Sequence, residues 1–185
     1  AFGMALYDLA AQYAGLPLYA LLGGANDRKL QTDMTVGIGT PQKMADAARS
    51  FQERGFPAIK VKLGTTTAED VARIRAIRQA VGESIPLRID ANQGWDVPTA
   101  IRTLRALAPF HIEYCEAPIP RALVDDLPLV RRQSPVPIMA DESLFDHRDA
   151  FRLASRRACD FFNIKLAKSG GIRNALRIVA VAESA

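Results

Sequence analysis

Two lysines stand one residue apart in Ile59-Lys60-Val61-Lys62-Leu63-Gly64, and three acids close later apolar runs. The acids are Asp90 in Arg88-Ile89-Asp90, Glu116 in Tyr114-Cys115-Glu116 and Asp141 in Met139-Ala140-Asp141; a further lysine, Lys165, follows Asn163-Ile164. Strand alternation puts Lys60 and Lys62 on one face, with Val61 and Leu63 on the other. Two ammonium groups sharing a face repel unless carboxylates or a metal-bound anion lie near, the plain alternative being a solvent-facing edge strand guarded by lysines. Neighbouring parallel strands lie about 4.8 Å apart, so three carboxylates at one level repel unless a cation holds them. Oxygen-only ligation, with neither imidazole nor thiolate, selects a hard ion, Mg²⁺ ahead of Ca²⁺ or Zn²⁺. A metal among lysines suits removal of a proton α to a carboxylate, because both stabilise the enediolate where its charge develops. A lysine accepts that proton only when its pKa falls from about 10.4, and burial beside another cation brings that about. One lysine on each side of the carbon permits removal on one face and return on the other, which is racemisation or epimerisation.

Such residues need a scaffold that gathers strand ends. Strand-like stretches are expected at 31–38, 58–63, 86–91, 111–116, 136–140 and 160–166. Between them, Thr40-Pro41 opens a helix to Arg54, Thr67 caps one to Val81, and Asp96 opens one to Ala108. A short helix from Asp126 to Arg132 with an acidic cap, a helix from Asp146 to Ser155 and a last one from Ile172 to Ser184 complete the alternation. Strands alternating with helices imply a parallel sheet or a (β/α) barrel. No phosphate-cradling glycine fingerprint follows the first strand. The intervals separating Lys62, Asp90, Glu116, Asp141 and Lys165 are nearly equal, and each places a charged residue at the C-terminal end of a strand, where a barrel carries its chemistry. The fold class read here is therefore α/β, a TIM-like (β/α) barrel with six of its strands present. By alternation Asn92, Tyr114, Asn163 and Lys165 share the inward face, Cys115 and Glu142 point away, and Lys168 lies past the last strand.

Composition narrows the function classes. The 185 residues are 49% hydrophobic and 24% charged with a formal net charge of +4, the profile of an ordinary globular domain. Two histidines exclude a histidine-built zinc centre, and two cysteines exclude a disulfide framework, so a reduced cytoplasmic protein is expected. No apolar run is long enough for a membrane span. The arginines are scattered among acids without interleaved aromatics, which disfavours nucleic acid. A non-catalytic anion- or nucleic-acid-binding module is the different-class alternative, and it would bind in a strongly salt-dependent way.

Lys60-x-Lys62, Asp90, Glu116, Asp141 and Ile164-Lys165-Leu166-Ala167-Lys168-Ser169-Gly170-Gly171 together resemble the enolase superfamily, in its muconate-lactonizing-enzyme subgroup. Ala5-Leu6-Tyr7-Asp8-Leu9-Ala10 and Leu21-Leu22-Gly23-Gly24 extend the resemblance to the start of the chain. A Lys base working with Mg²⁺ is the known pattern of enolase-superfamily sites. The resemblance implies Mg²⁺ on Asp90, Glu116 and Asp141, acid/base roles for Lys62 and Lys165, and a hold on the substrate carboxylate by Lys60. Thr35-Val36-Gly37-Ile38-Gly39-Thr40-Pro41 resembles the first-strand segment of dipeptide epimerases, which implies that Thr35 contacts substrate. Asn163 and Lys168 complete the residues expected at the substrate. Residues 1–30 then read as the end of a capping domain with its linker helices, and 31–185 as a partial catalytic barrel. The closing strands and most of the capping domain are absent, so the isolated segment is expected to be inactive or poorly soluble. The expected partner is a small carboxylate, a dipeptide, within a homo-oligomer. The same scaffold also serves o-succinylbenzoate synthases, N-acylamino acid racemases and muconate cycloisomerases.

Overall fold

The computed structural model describes residues 2–25 and 29–185. Ala1 and Asn26–Arg28, the last of which fall in the expected linker, lie outside the described residues. Two helices come first, α1 (Phe2–Tyr13) and α2 (Leu18–Leu21). Six strands follow: β1 (Met34–Val36), β2 (Ile59–Lys62), β3 (Leu87–Asp90), β4 (Ile112–Glu116), β5 (Ile138–Ala140) and β6 (Phe161–Phe162). Between them run α3 (Pro41–Glu53), α4 (Thr67–Val81), α5 (Val97–Leu107), α6 (Leu127–Gln133) and α7 (His147–Ser155), and α8 (Ile172–Ser184) closes the chain. All strand pairs are parallel and their order in the sheet is that of the sequence. This is an incomplete (β/α) barrel whose open edges are β1 and β6. No helix among the described residues is long and apolar enough to cross a membrane.

The sheet's two faces explain the alternation. Val36, Ile59, Val61, Leu63, Leu87, Ile89, Cys115, Ile138 and Ala140 are buried in one continuous core, packed with apolar residues of the helices such as Met44, Ile74, Ile77 and Leu104. Thr35, Lys60 and Arg88 stand side by side on the opposite face, and Lys62 is level with Asp90. β2 is flanked on both sides, so its lysines do not guard an edge.

A register shift between Leu87 and Arg88 supplies a step that periodicity does not announce. Leu87 pairs with Ile112, but Arg88 pairs with Tyr114, so β4 runs one residue ahead. The irregularity therefore sets Glu116, rather than Cys115, beside Asp90. Asp141 is not level with them: Glu116 pairs with Met139, and Asp141 lies two residues further along on the same face.

Helix starts follow local capping. Thr40 accepts from the Lys43 amide with Pro41 at the first helical position, and Asp96 accepts from Thr99 N at 2.8 Å. The cap of α4 is Thr66 rather than Thr67; Thr66 and Glu69 bond reciprocally as a capping box. Asp126 makes no side-chain cap, because a 3₁₀ segment (Arg121–Asp126) already leads into α6. Thr66→Ala should lower the unfolding free energy by about 1 kcal/mol, read from urea melts; an unchanged midpoint would mean that Glu69 and solvent replace the cap.

The sixth strand is shorter than its sequence suggests. β5 spans only three residues, so the ladder runs out soon after Phe162, with Asn163 N still donating to Ala140 O at 2.9 Å. Beyond it the chain turns through Leu166–Gly170, and Asn163 and Lys165 project from an extended loop.

Candidate active site

The C-terminal ends of the strands gather the three acids and four amines. Lys60 Nζ donates to Glu116 Oε2 at 2.5 Å and lies 2.9 Å from Asp90 Oδ2. Lys62 Nζ donates to the same Asp90 oxygen at 2.7 Å and to Asn92 Oδ1 at 2.6 Å. Asn92 in turn gives its backbone N–H to Asp90 Oδ1 at 2.9 Å. Asn92 and Gln93 both adopt left-handed backbone, φ 45° and 64°, in the turn that folds the amide back over the strand tip. On the far side, Asn163 Nδ2 donates to Glu116 Oε1 at 2.8 Å. Lys165 bonds the Asp141 carboxylate and stands 3.9 Å from Glu116. Lys168 bonds the other Asp141 oxygen and donates to Asp141 O at 2.5 Å and Asn163 O at 3.1 Å.

Burial sorts these groups. Asp90 and Glu116 are each 1% exposed and Asp141 2%, whereas the side chains of Lys62 and Lys165 are 30% and 52% exposed. The carboxylates form the floor, and the two lysines rise on either side of it into the open end. Burial pushes the Glu116 carboxyl up and, with the adjacent Asp90 and Asp141 carboxylates, outweighs the help from Lys60. Burial likewise opposes ionisation of Asp141, but bonds from Lys165 and Lys168 overcome it and hold the group at about 2. Asp90 also sits below its ordinary range, because Lys62 and Lys60 outweigh its burial.

The lysines correct one sequence expectation. Burial does act to lower Lys60, but its hydrogen bonds to Glu116 and Asp90 prevail and raise it; Lys165 is raised in the same way by Asp141. Direct carboxylate partners outweigh the like-charge effect expected from the spacing. Among the described residues the three carboxylates do not converge into a ready-made metal cage; their oxygens are turned toward ammonium groups. The donor set is nonetheless all oxygen, buried and mutually repelling, which suits a hard divalent cation.

The other expected residues divide. Thr35 lies beside Lys60 on the exposed edge strand β1. Lys168 is held down on Asp141 and two backbone carbonyls, as a support for that acid rather than a free arm. Tyr114 does not reach the carboxylates: it sits one rung below them, 5.6 Å from the Arg88 guanidinium and 5.9 Å from the Phe161 ring. Cys115 is fully buried in the core. Asp70, Arg73 and Trp95, which cluster beneath the β2 and β3 tips, escape a sequence reading. The sole signals are an acid and an arginine in the first two turns of α4 and a lone Trp just after Asp90-Ala91-Asn92.

The D-Ala-D/L-Ala epimerase of Cytophaga hutchinsonii is 57% identical over 185 residues, covering 100% of this chain and 50% of that protein. The hydrophobic dipeptide epimerase of Enterococcus faecalis is 46% identical, covering 100% of this chain and 52% of its own length. The chain thus spans about half the length of these relatives. The crystal structure of the Cytophaga hutchinsonii dipeptide epimerase, complexed with Mg and D-Ala-L-Val, superposes with a TM-score of 0.98 at 56% identity, over 100% of this chain and 50% of that one. The family described as enolase C-terminal domain-like matches residues 43–185. The family match over residues 43–185, on a parallel sheet whose strand order is that of the sequence, places the chain in the enolase C-terminal domain-like family of the enolase superfamily.

Proposed function

We propose that the protein carrying this chain is an Mg²⁺-dependent dipeptide epimerase, inverting the carbon α to the substrate's carboxylate. The observation that carries this reading is the placement of Lys62 and Lys165 on opposite sides of the buried Asp90–Glu116–Asp141 floor. The three carboxylates would hold the metal, which when bound supplies Lewis-acid stabilisation of the substrate carboxylate as charge builds on it. Lys62 or Lys165, as the neutral amine, takes the α-proton: the C–H bond breaks, an N–H bond forms, and the electron pair passes into the enediolate. The opposite lysine, as ammonium, returns a proton to the other face. Lys60 faces the same space from between Asp90 and Glu116 and helps to hold the substrate carboxylate. Asn92 and Asn163 orient Lys62 and Glu116, and Thr35 on β1 is placed to meet the part of the substrate beyond the reacting centre.

N-acylamino acid racemase and muconate cycloisomerase would use the same acids and lysines; likeness to the two dipeptide epimerases favours the dipeptide. Residues 1–30 would form the end of a capping domain and 31–185 the first part of the barrel. The exposed apolar side chains of Phe2, Leu9 and Tyr13 on α1 and Phe161 on β6 would then be covered by the remainder. The test is incubation of the full-length protein with Mg²⁺ and an alanine-containing dipeptide in D₂O, with an N-acylamino acid and a muconate in parallel. Deuterium entering Cα of the dipeptide, with inversion and only when Mg²⁺ is present, supports the reading. Turnover confined to a parallel substrate would move the protein to another branch of the superfamily.

A further inference from the structure

Three successive βα loops meet at the first turns of α4. Asp70 is 0% exposed, and its two oxygens accept five hydrogen bonds. Oδ2 accepts from the backbone N–H groups of Gly64 at 3.1 Å and Thr65 at 3.0 Å and from Trp95 Nε1 at 3.0 Å. Oδ1 accepts from Thr65 Oγ1 at 3.0 Å and Arg73 Nη1 at 2.7 Å. The same guanidinium bonds Thr65 Oγ1 and donates through Nε to Gly39 O at 3.2 Å. One buried ion pair therefore ties down the loop after β1 through Gly39, the loop after β2 through Gly64 and Thr65, and the loop after β3 through Trp95.

The loops also touch backbone to backbone. A Cβ on Gly64, where φ is +112°, would fall 2.3 Å from Ala91 O, and one on Gly94 would fall 2.4 Å from Gly64 O. Helix capping does not account for Asp70, because Thr66 and Glu69 already satisfy the start of α4, and besides Arg73 within the helix the Asp70 oxygens bond Gly64, Thr65 and Trp95 outside it. A buried carboxylate and guanidinium are costly to desolvate, and they persist where every polar atom finds a partner. The segments so fixed lead directly into Lys62 and into Asp90-Ala91-Asn92, whose 2.7 and 2.6 Å contacts set the amine's position.

We infer that Asp70, with Arg73 and Trp95, is a positioning residue that fixes Lys62 against the Asp90–Asn92 segment while leaving Lys165 to be placed by other elements. This rests on the epimerase reading above. In the full-length, Mg²⁺-loaded protein, Trp95→Phe removes one donor and keeps an aromatic ring, and Asp70→Asn is the harsher variant. Deuterium incorporation is measured from each dipeptide epimer separately, the epimer served by Lys62 being the one that still exchanges in Lys165→Ala. Trp95→Phe should slow exchange from that epimer about tenfold to a hundredfold, a size known for small displacements of reacting groups, and leave the other epimer within about twofold. An equal fall for both epimers, as general destabilisation would give, or no fall, overturns the inference. Amide hydrogen exchange supplies an independent reading. Residues 62–65 and 91–95 should lose protection in Trp95→Phe while α7 and α8 keep theirs, and unchanged protection there overturns the inference whatever the activity. Parent protein that exchanges no dipeptide at all refutes the epimerase reading, and the amide measurement then decides the positioning role by itself.

Discussion

Lys62→Ala is expected to abolish epimerisation while α-proton exchange survives from the epimer whose C–H faces Lys165, and Lys165→Ala to give the mirror result. A base and an acid on opposite faces are both needed for inversion, but only one is needed to remove and replace a proton on its own side. The loss in kcat should be about 10²- to 10⁴-fold, the usual worth of a positioned acid/base group. Both variants should fold. Asp90 loses Lys62 but keeps Lys60, and Asp141 loses Lys165 but keeps Lys168, so neither buried carboxylate is left without a cation. Proton NMR in D₂O, started separately from each epimer, reads both outcomes. Inversion retained in both variants would refute the two-base assignment.

Much of this arrangement can be read in the sequence, because its signals are local. Lys60-Val61-Lys62 has the parity of a strand, and the fully buried Val61 and Leu63 bear that out. Thr40-Pro41 and Asp96 mark helix starts through short-range capping bonds that need no tertiary context. Non-local geometry is harder to read. The slip between Leu87 and Arg88 decides that Glu116 meets Asp90, and no residue type announces it. Asp141 stands two residues above the shared level because of how β5 docks on β4, so the three acids rise in a step rather than a ring. The sixth strand ends early because pairing depends on the length of its neighbour, and Lys165 gains exposure as a result. Asp70 reads as an ordinary acid in a helix's first turn until the fold brings Gly64, Thr65, Trp95 and Arg73 around it. The lysine pKa directions also required coordinates, because spacing brings the carboxylates to neighbouring strand ends but does not reveal that they hydrogen-bond the lysines directly.

Glu116→Gln offers the second large effect, and its sign depends on whether a divalent cation is present. Glu116 is the central acid, level with Asp90 and almost wholly buried, and its burial pushes its proton affinity up. Without a divalent cation, the substitution removes one buried negative charge from a crowded set and keeps the shape. Lys60 retains Asp90 as a partner, so the unfolding midpoint of the metal-free protein should hold or rise. With Mg²⁺ the sign reverses. A ligand that binds the folded state stabilises it in proportion to the logarithm of its concentration over Kd, so the parent should gain thermal stability as Mg²⁺ is raised. The glutamine variant, with one anionic ligand fewer, should gain far less. Exchange at Cα should fall by about 10³-fold, since Lewis-acid stabilisation contributes several kcal/mol and about 1.4 kcal/mol is one factor of ten. If Glu116 were a structural anchor for Lys60, the variant would instead be destabilised at every Mg²⁺ concentration and its Mg²⁺ response would match the parent's. Equal Mg²⁺-induced shifts in the two proteins would remove Glu116 from the proposed metal site.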